Sequence, residues 1–240
     1  MSEPDMALES RTISLGGDMG RWSDYALDTF FAPHLSELTA FSAPDVPVMD
    51  DYTLSFILNR AINAPDEARV KASMILIASF IRHAGPAIIE YREACLATMA
   101  YVSALPSRTA TSIHAIAVAR FENCLIQLSA AQSRLSALSD LFPQHPPMFT
   151  PQDDSDHARL AKLANRIRHF HEDITNVASK REPGPFPLAP IWLTNTSIKC
   201  RKNTTVYELT YQELAALLID AIATAKNMAE GAVPTSKAPA

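Results

Sequence analysis

The sequence predicts a mainly α fold: a bundle of long helices with a small C-terminal β-hairpin and a closing helix. Three observations carry this. Apolar residues recur at three- and four-residue spacing over long stretches, the period of a helix with one buried side. Gly is scarce at 6 of 240 residues, while the 17 prolines gather in a few connecting stretches. Only after "REPGPFPLAP" does the chain turn to β-formers, in "PIWLTNTSIKC" and "TVYEL".

Residues 1–17 are polar without a sustained period and read as a flexible N-terminal arm; residues 18–231 form a single helical domain, and residues 232–240 a disordered tail. From Asp18 to about Phe41, the residues Trp22, Tyr25, Phe30, Leu35 and Leu38 predict a first helical segment that Pro33 can break. "DYTLSFILNRAI" predicts a short second helix. The strongest block runs from Pro65 to Leu105, opening on acids that suit a helix N-terminus. Gly85-Pro86 interrupts it, so two helices or one sharply kinked helix are expected.

A further long helix is expected from Thr109 to Leu141, with Ile113, Ile116, Phe121, Cys124, Leu125, Leu128, Leu135 and Leu138 on its packed side. The next begins near Asp154 or Ser155 and runs on towards "REPGPFPLAP", buried along Leu160, Leu163, Ile167, Phe170, Ile174 and Val177. "RKNT" supplies the turn of the hairpin. Thr210 followed by Glu213 fits a capping box that opens the closing helix, and Gly231 ends it.

Bulk properties narrow the function. At 48% apolar and 20% charged residues, the chain has the make-up of a folded globular domain. The net charge of −5 argues against a general nucleic-acid coat or an anionic membrane surface. It is unevenly placed: residues 1–60 hold ten acids and three bases, which leaves the remainder at +2. A local phosphate site is therefore compatible with the acidic whole. Cys95, Cys124 and Cys200 are too far apart for a disulfide framework or a zinc pattern, and Cys95 and Cys124 read as buried thiols. No secretory signal and no run of about 18 consecutive apolar residues is visible, so a cytoplasmic location without membrane attachment is expected.

The densest chemistry lies in "LANRIRHFHEDI", Leu163 to Ile174. On a regular helix, Leu163, Ile167, Phe170 and Ile174 make the buried stripe. Lys162, Arg166, His169 and Asp173 then share one flank, with Asn165 beside them, while Arg168 and His171 lie on the other. The two histidines thus diverge and do not form a metal pair, which needs a spacing of three or four. No metal or cofactor is expected. His169 has the polar neighbours that acid–base work requires: Arg166 to hold a phosphate, and Asn165 to orient ring or substrate. The competing reading is a solvated helix face of weak charge pairs. His34, His83, His114, His145 and His157 are scattered and expected at the surface or at helix ends. Lys199, Arg201 and Lys202, near the hairpin turn, are solvated residues or accessory RNA contacts.

With "NRIRHFHEDI" late in a helical chain of this size, and more loosely with "APIWLTNTSIKC" and "LTYQELAALLIDAI", the sequence resembles the HEPN helical domains. These include metal-independent ribonucleases and toxins of prokaryotic defence systems. Their hallmark is an Arg, four to six residues and a His, often with a polar residue directly after the Arg. Two registers compete. Arg166 and His171 keep the spacing, with Ile167 in the polar position. Asn165 and His169 keep the polar residue and the His, with Ala164 where the Arg belongs and Arg166 adjacent. The resemblance implies a homodimer with two motif helices across an RNA-binding cleft. It implies RNA as substrate, bound in part by Lys162, Lys199, Arg201 and Lys202, and an antitoxin or other protein as partner. His169 would be the acid–base group, Arg166 the phosphate stabiliser and Asn165 the orienting residue, with His171 as the catalytic residue of the other register. The alternative is a catalytically inactive HEPN-like module that binds a protein or nucleotide. The family's modifiable Tyr, two residues after the His, is replaced by His171 or Asp173, which does not support that mode of regulation.

Overall fold

The computed structural model describes residues 37–62, 65–105, 110–142, 154–172, 175, 189–202 and 205–230. The arm, most of the first expected helix, His34, His145, Asp173, Ile174, Val177 and the tail lie outside the described residues.

The chain enters as an extended strap, residues 38–50, with Leu38 and Val46 fully buried. The first expected helix therefore does not extend to Phe41, because these residues run along other elements instead of coiling on themselves. Helix α1, Tyr52–Phe56, is capped by Asp51, whose carboxylate accepts from the Thr53 amide, and it widens into a π-helical turn at Ile57–Ala61.

Helix α2, Ala68–Ala104, is a single helix through Gly85-Pro86, so of the two expected forms, two helices or one kinked helix, the first does not occur. The acids of "PDE" precede its first turn instead of lying within it. A Cβ on Gly85 would meet the Met49 methyl at 3.2 Å, so this glycine admits the strap and does not end the helix. Helix α3, Ala110–Asp140, lies along α2. The pair is held by Arg120 donating to both Glu90 carboxylate oxygens, a His83–Gln127 bond of 2.7 Å and Arg134 donating to Ser79. Phe121, Cys124, Leu125, Leu128 and Leu135 are buried as expected, but Ile116 is exposed.

Helix α4, Asp156–Arg168, starts at Ser155, whose hydroxyl accepts from the Ala158 amide at 3.2 Å. The hairpin is part of a three-stranded antiparallel sheet of β1, Ile191–Leu193, β2, Ser197–Lys202, and β3, Thr205–Thr210, because "TNT" turns the chain once more than expected. The register places Ile191, Cys200 and Tyr207 in one row across the sheet, and Leu193, Ile198 and Leu209 in another. Side chains alternate across a strand, so these six share the inner face and pack on the core. The closing helix α5, Tyr211–Glu230, opens with the expected capping box: the Thr210 amide donates to Glu213 and the Glu213 amide to the Thr210 hydroxyl. At its far end Asn59 donates to the Ala229 carbonyl.

Candidate functional site

The candidate site sits at the C-terminal end of α4, where the regular helix stops at Arg168 and His169 becomes the cap residue, with φ −103° and ψ 11°. The continuous helix expected here is thus broken at His169, although neither Gly nor Pro marks the place; helical backbone resumes at residues 170–172. The His169 amide still donates to the Asn165 carbonyl at 3.1 Å. Arg166 and Arg168 occupy the last turn, where cations favour the helix dipole.

Beyond this break the expected grouping separates. Lys162 and Arg166 lie on the flank of α4 that meets the inner face of the sheet. The Lys162 ammonium is 5.3 Å from the centre of the Tyr207 ring and pairs with Asp154 at 4.0 Å. The Arg166 guanidinium lies over the Phe170 ring at 5.5 Å, and its charge acts on buried Cys200, drawing that thiol's pKa down against a larger upward push from burial. Both are half-buried. Their long stems cover apolar surface while the charge stays near the edge of the packing. Asn165, His169 and His171 are exposed. The His169 Nδ1 lies 3.0 Å from the Glu172 carboxylate, whereas His171 lies 4.0 Å from that same group. Arg168 reaches back to the Ile126 carbonyl of α3 at 3.5 Å.

The basic residues of the sheet are likewise separated by the register. Trp192, Lys199 and Glu208 form one row on the outer face. Lys199 lies 3.8 Å from Glu37, which immediately precedes the strap, and 3.9 Å from Glu208, and Trp192 donates to the same Glu37 carboxylate. Arg201 stands over the Trp192 ring at 5.9 Å, and Lys202 is exposed. Lys199 is therefore neutralised by neighbours and fastens the strap. It is on the opposite face of the sheet from Arg166, so these bases do not form one patch.

Several polar residues that the sequence did not single out carry the joints. Arg159 donates to Asp156 at 2.7 Å and to Glu213 at 2.6 Å, joining α4 to α5, and it also bonds the Asp154 carbonyl. Asn195 accepts from the Thr39 and Ala40 amides at 2.8 and 3.0 Å, and its own amide donates to the Glu37 carbonyl. His83 and His157 bond glutamines of α3, and buried His114 packs on Tyr101, so these three histidines join helices; His157 lies at a helix end as expected, whereas His83 lies inside α2 and His114 is buried. Burial raises the Glu122 carboxyl to about 7; this residue sits one turn before Ile126 on α3. Burial also pushes Cys95 and Cys200 up to about 11 and Cys124 further, so all three behave as packing thiols.

A cavity of about 330 Å³ opens elsewhere, between the strap and α2, lined by Phe41, Pro44, Arg92, Cys95 and Met99 among others. Arg92 there donates to the Val46 carbonyl and Tyr91 to that of Pro44, so its polar groups hold the strap. Among the described residues, no three His, Cys, Asp or Glu side chains gather as metal ligands, and α2 is long and apolar enough to cross a membrane by length and composition. No protein-family model, no curated protein and no solved structure matches this chain.

Proposed function

We propose that this chain is a catalytically inactive, HEPN-like helical module that works by binding a protein partner. The observation that carries this reading is the position of Arg166. The residue cast as the phosphate stabiliser lies over Phe170 and against the inner face of the sheet, where it serves the fold. Exposed apolar side chains support a binding role: Leu54 on α1, Leu58 on the π-helical turn after it, and Ile75, Ile89 and Leu96 on α2, each more than half exposed. The test is incubation of the purified chain with mixed RNA in chelator, beside His169→Ala and His171→Ala. Expected is no cleavage above the level of the two variants. Cleavage by the wild-type chain that disappears with His169→Ala would overturn the reading.

That second outcome would favour a metal-independent endoribonuclease of a toxin or defence type, acting in the cytoplasm and restrained by an antitoxin. The 3.0 Å His169–Glu172 pair is what speaks for it. The carboxylate would hold the ring so that Nε2 takes the proton of a ribose 2′-hydroxyl, whose oxygen attacks the adjacent phosphorus; the bond to the 5′-oxygen breaks, that oxygen takes a proton from solvent water, and a 2′,3′-cyclic phosphate remains. Arg168 would then be the exposed cation nearest in sequence for the phosphate, in place of Arg166, with His171 as an exposed polar neighbour.

A further inference from the structure

Helix α2 packs one side on α3 and leaves a second apolar seam on its outer side. Ile75, Ile89 and Leu96 are 69%, 57% and 57% exposed. They belong to a series that runs Ile75, Ser79, Arg82, Pro86, Ile89, Glu93, Leu96, Ala100, with steps alternating four and three. Ser79, at the edge of the seam towards α3, is half-buried with its hydroxyl accepting from Arg134, and the others besides the three apolar anchors are exposed. An alternation of four and three is the a/d repeat by which one helix packs along another. It extends over about 38 Å at 1.5 Å per residue.

The order of side chains along this seam says what fits it. Let a second copy of α2 lie antiparallel, about a twofold axis passing between Ala87 and Ile88. Ile75 then meets Ala100 of the other copy, and Leu96 meets Ser79, a large side chain facing a small one each time. Ile89 meets Pro86 beside the axis. Arg82 meets Glu93, and by symmetry Glu93 meets Arg82. All four layers set an a position against a d position, which is the pairing of antiparallel coiled coils. In a twofold interface every such match occurs twice. Glu93 also acts electrostatically on Arg120, whose carboxylate partner is Glu90. The charges at the seam are thus suited to a protein surface of opposite order, and they oppose insertion into lipid, where each would cost about 3 kcal/mol at the bilayer centre.

We propose that the outer seam of α2 is a self-association surface, on which a second copy of this chain packs antiparallel with reciprocal Arg82–Glu93 pairs. The proposal rests on the reading of the chain as a binding module and gives that module its partner. It places the contact on α2, away from the α4 end.

Sedimentation equilibrium of the full chain tests it, with wild type, Arg82→Glu, Glu93→Arg and the double exchange, and circular dichroism as the control for folding. Expected is a wild-type dimer, a dimer Kd raised at least about tenfold by either single exchange, and recovery to within about threefold of wild type in the double exchange. The substituted positions Arg82, Glu93 and Ile89 are exposed, so Ile89→Asp is a second variant expected to keep the fold and to leave only monomer. A wild-type monomer up to about 100 μM, well above the Kd of a stable interface, would overturn the proposal, as would single exchanges without effect or a double exchange without recovery. A wild-type monomer that co-floats with phosphatidylcholine or phosphatidylserine vesicles would overturn it in favour of a lipid-facing seam. The RNA assay is indifferent to these outcomes: cleavage dependent on His169 would end the module reading while leaving the dimer to be measured, and a monomer would end the dimer while leaving the module.

Discussion

Helix α4 shows how a helical wheel succeeds and fails at single residues. Leu160 and Leu163 are buried where the wheel puts them, because the apolar period reports the one face that meets the core. The wheel does not report what meets the neighbouring flank. The sheet that packs over Lys162 and Arg166 comes from residues about 35 to 45 positions later, beyond the reach of a local period, and it turns an apparent phosphate group into packing. His169 departs for another reason, since the break at Arg168 removes the regular angle on which its placement depends. The Glu122 carboxyl had no signal at all in sequence, because its raised value of about 7 comes from burial alone. A carboxyl whose folded value lies above its ordinary 4.5 retains a proton that the unfolded chain has released. Stability is therefore expected to fall as pH rises through the window from 4.5 to about 7, and to stay at the lower level above it. Denaturant midpoints measured across that window check this, and Glu122→Gln is expected to flatten the fall and to be the more stable protein above it. Arg159→Ala is expected to cost about 2 kcal/mol, since it removes two charge-assisted bonds of a largely covered side chain. Urea unfolding measures that loss.

At the level of elements, the helices were legible and their interruptions were not. The Thr210–Glu213 box opens α5 as its spacing predicts, because capping is local chemistry. Thr210→Ala is expected to cost about 1 kcal/mol in thermal or urea unfolding. Gly85-Pro86 looked like a break because both residues disfavour a helix, yet α2 passes through, with more than thirty other residues of packed helix on its two sides. The glycine answers to the approach of Met49 instead. That contact is the mobile end of a long side chain, so Gly85→Ala is expected to raise stability by about 0.5 to 1 kcal/mol through helix propensity, again read by urea unfolding. A loss larger than that gain would mean that the Met49 methyl cannot give way. The second seam of α2 escaped a search for one buried face per helix: a helix apolar on two sides looks only like a strong helix.

For the molecule as a whole, the mainly α class with a late sheet and closing helix followed from composition and period. The joints between distant parts did not, because Arg159 with Glu213, Asn195 with the strap and Lys199 with Glu37 each link residues 54 or more positions apart. At this scale the expectation is a chain that leaves RNA intact and pairs through α2, each measured as described above. The strap has a further consequence that concerns the order in which the protein is made. Residues 39 and 40 emerge from the ribosome early, but their amides bond Asn195, which lies 156 and 155 positions later. The α2–α3 pair can form as soon as it has emerged, since its contacts close a short loop. The later part of the strap can bond α2 through Tyr91 and Arg92 at once, but its first residues, buried Leu38 among them, have to wait for most of synthesis at about 5–20 residues per second. Release of a nascent chain truncated before Thr194 should therefore yield a protease-resistant helical pair whose strap is cleavable around Leu38 to Ala40, and extension past Asn195 should protect that end as well.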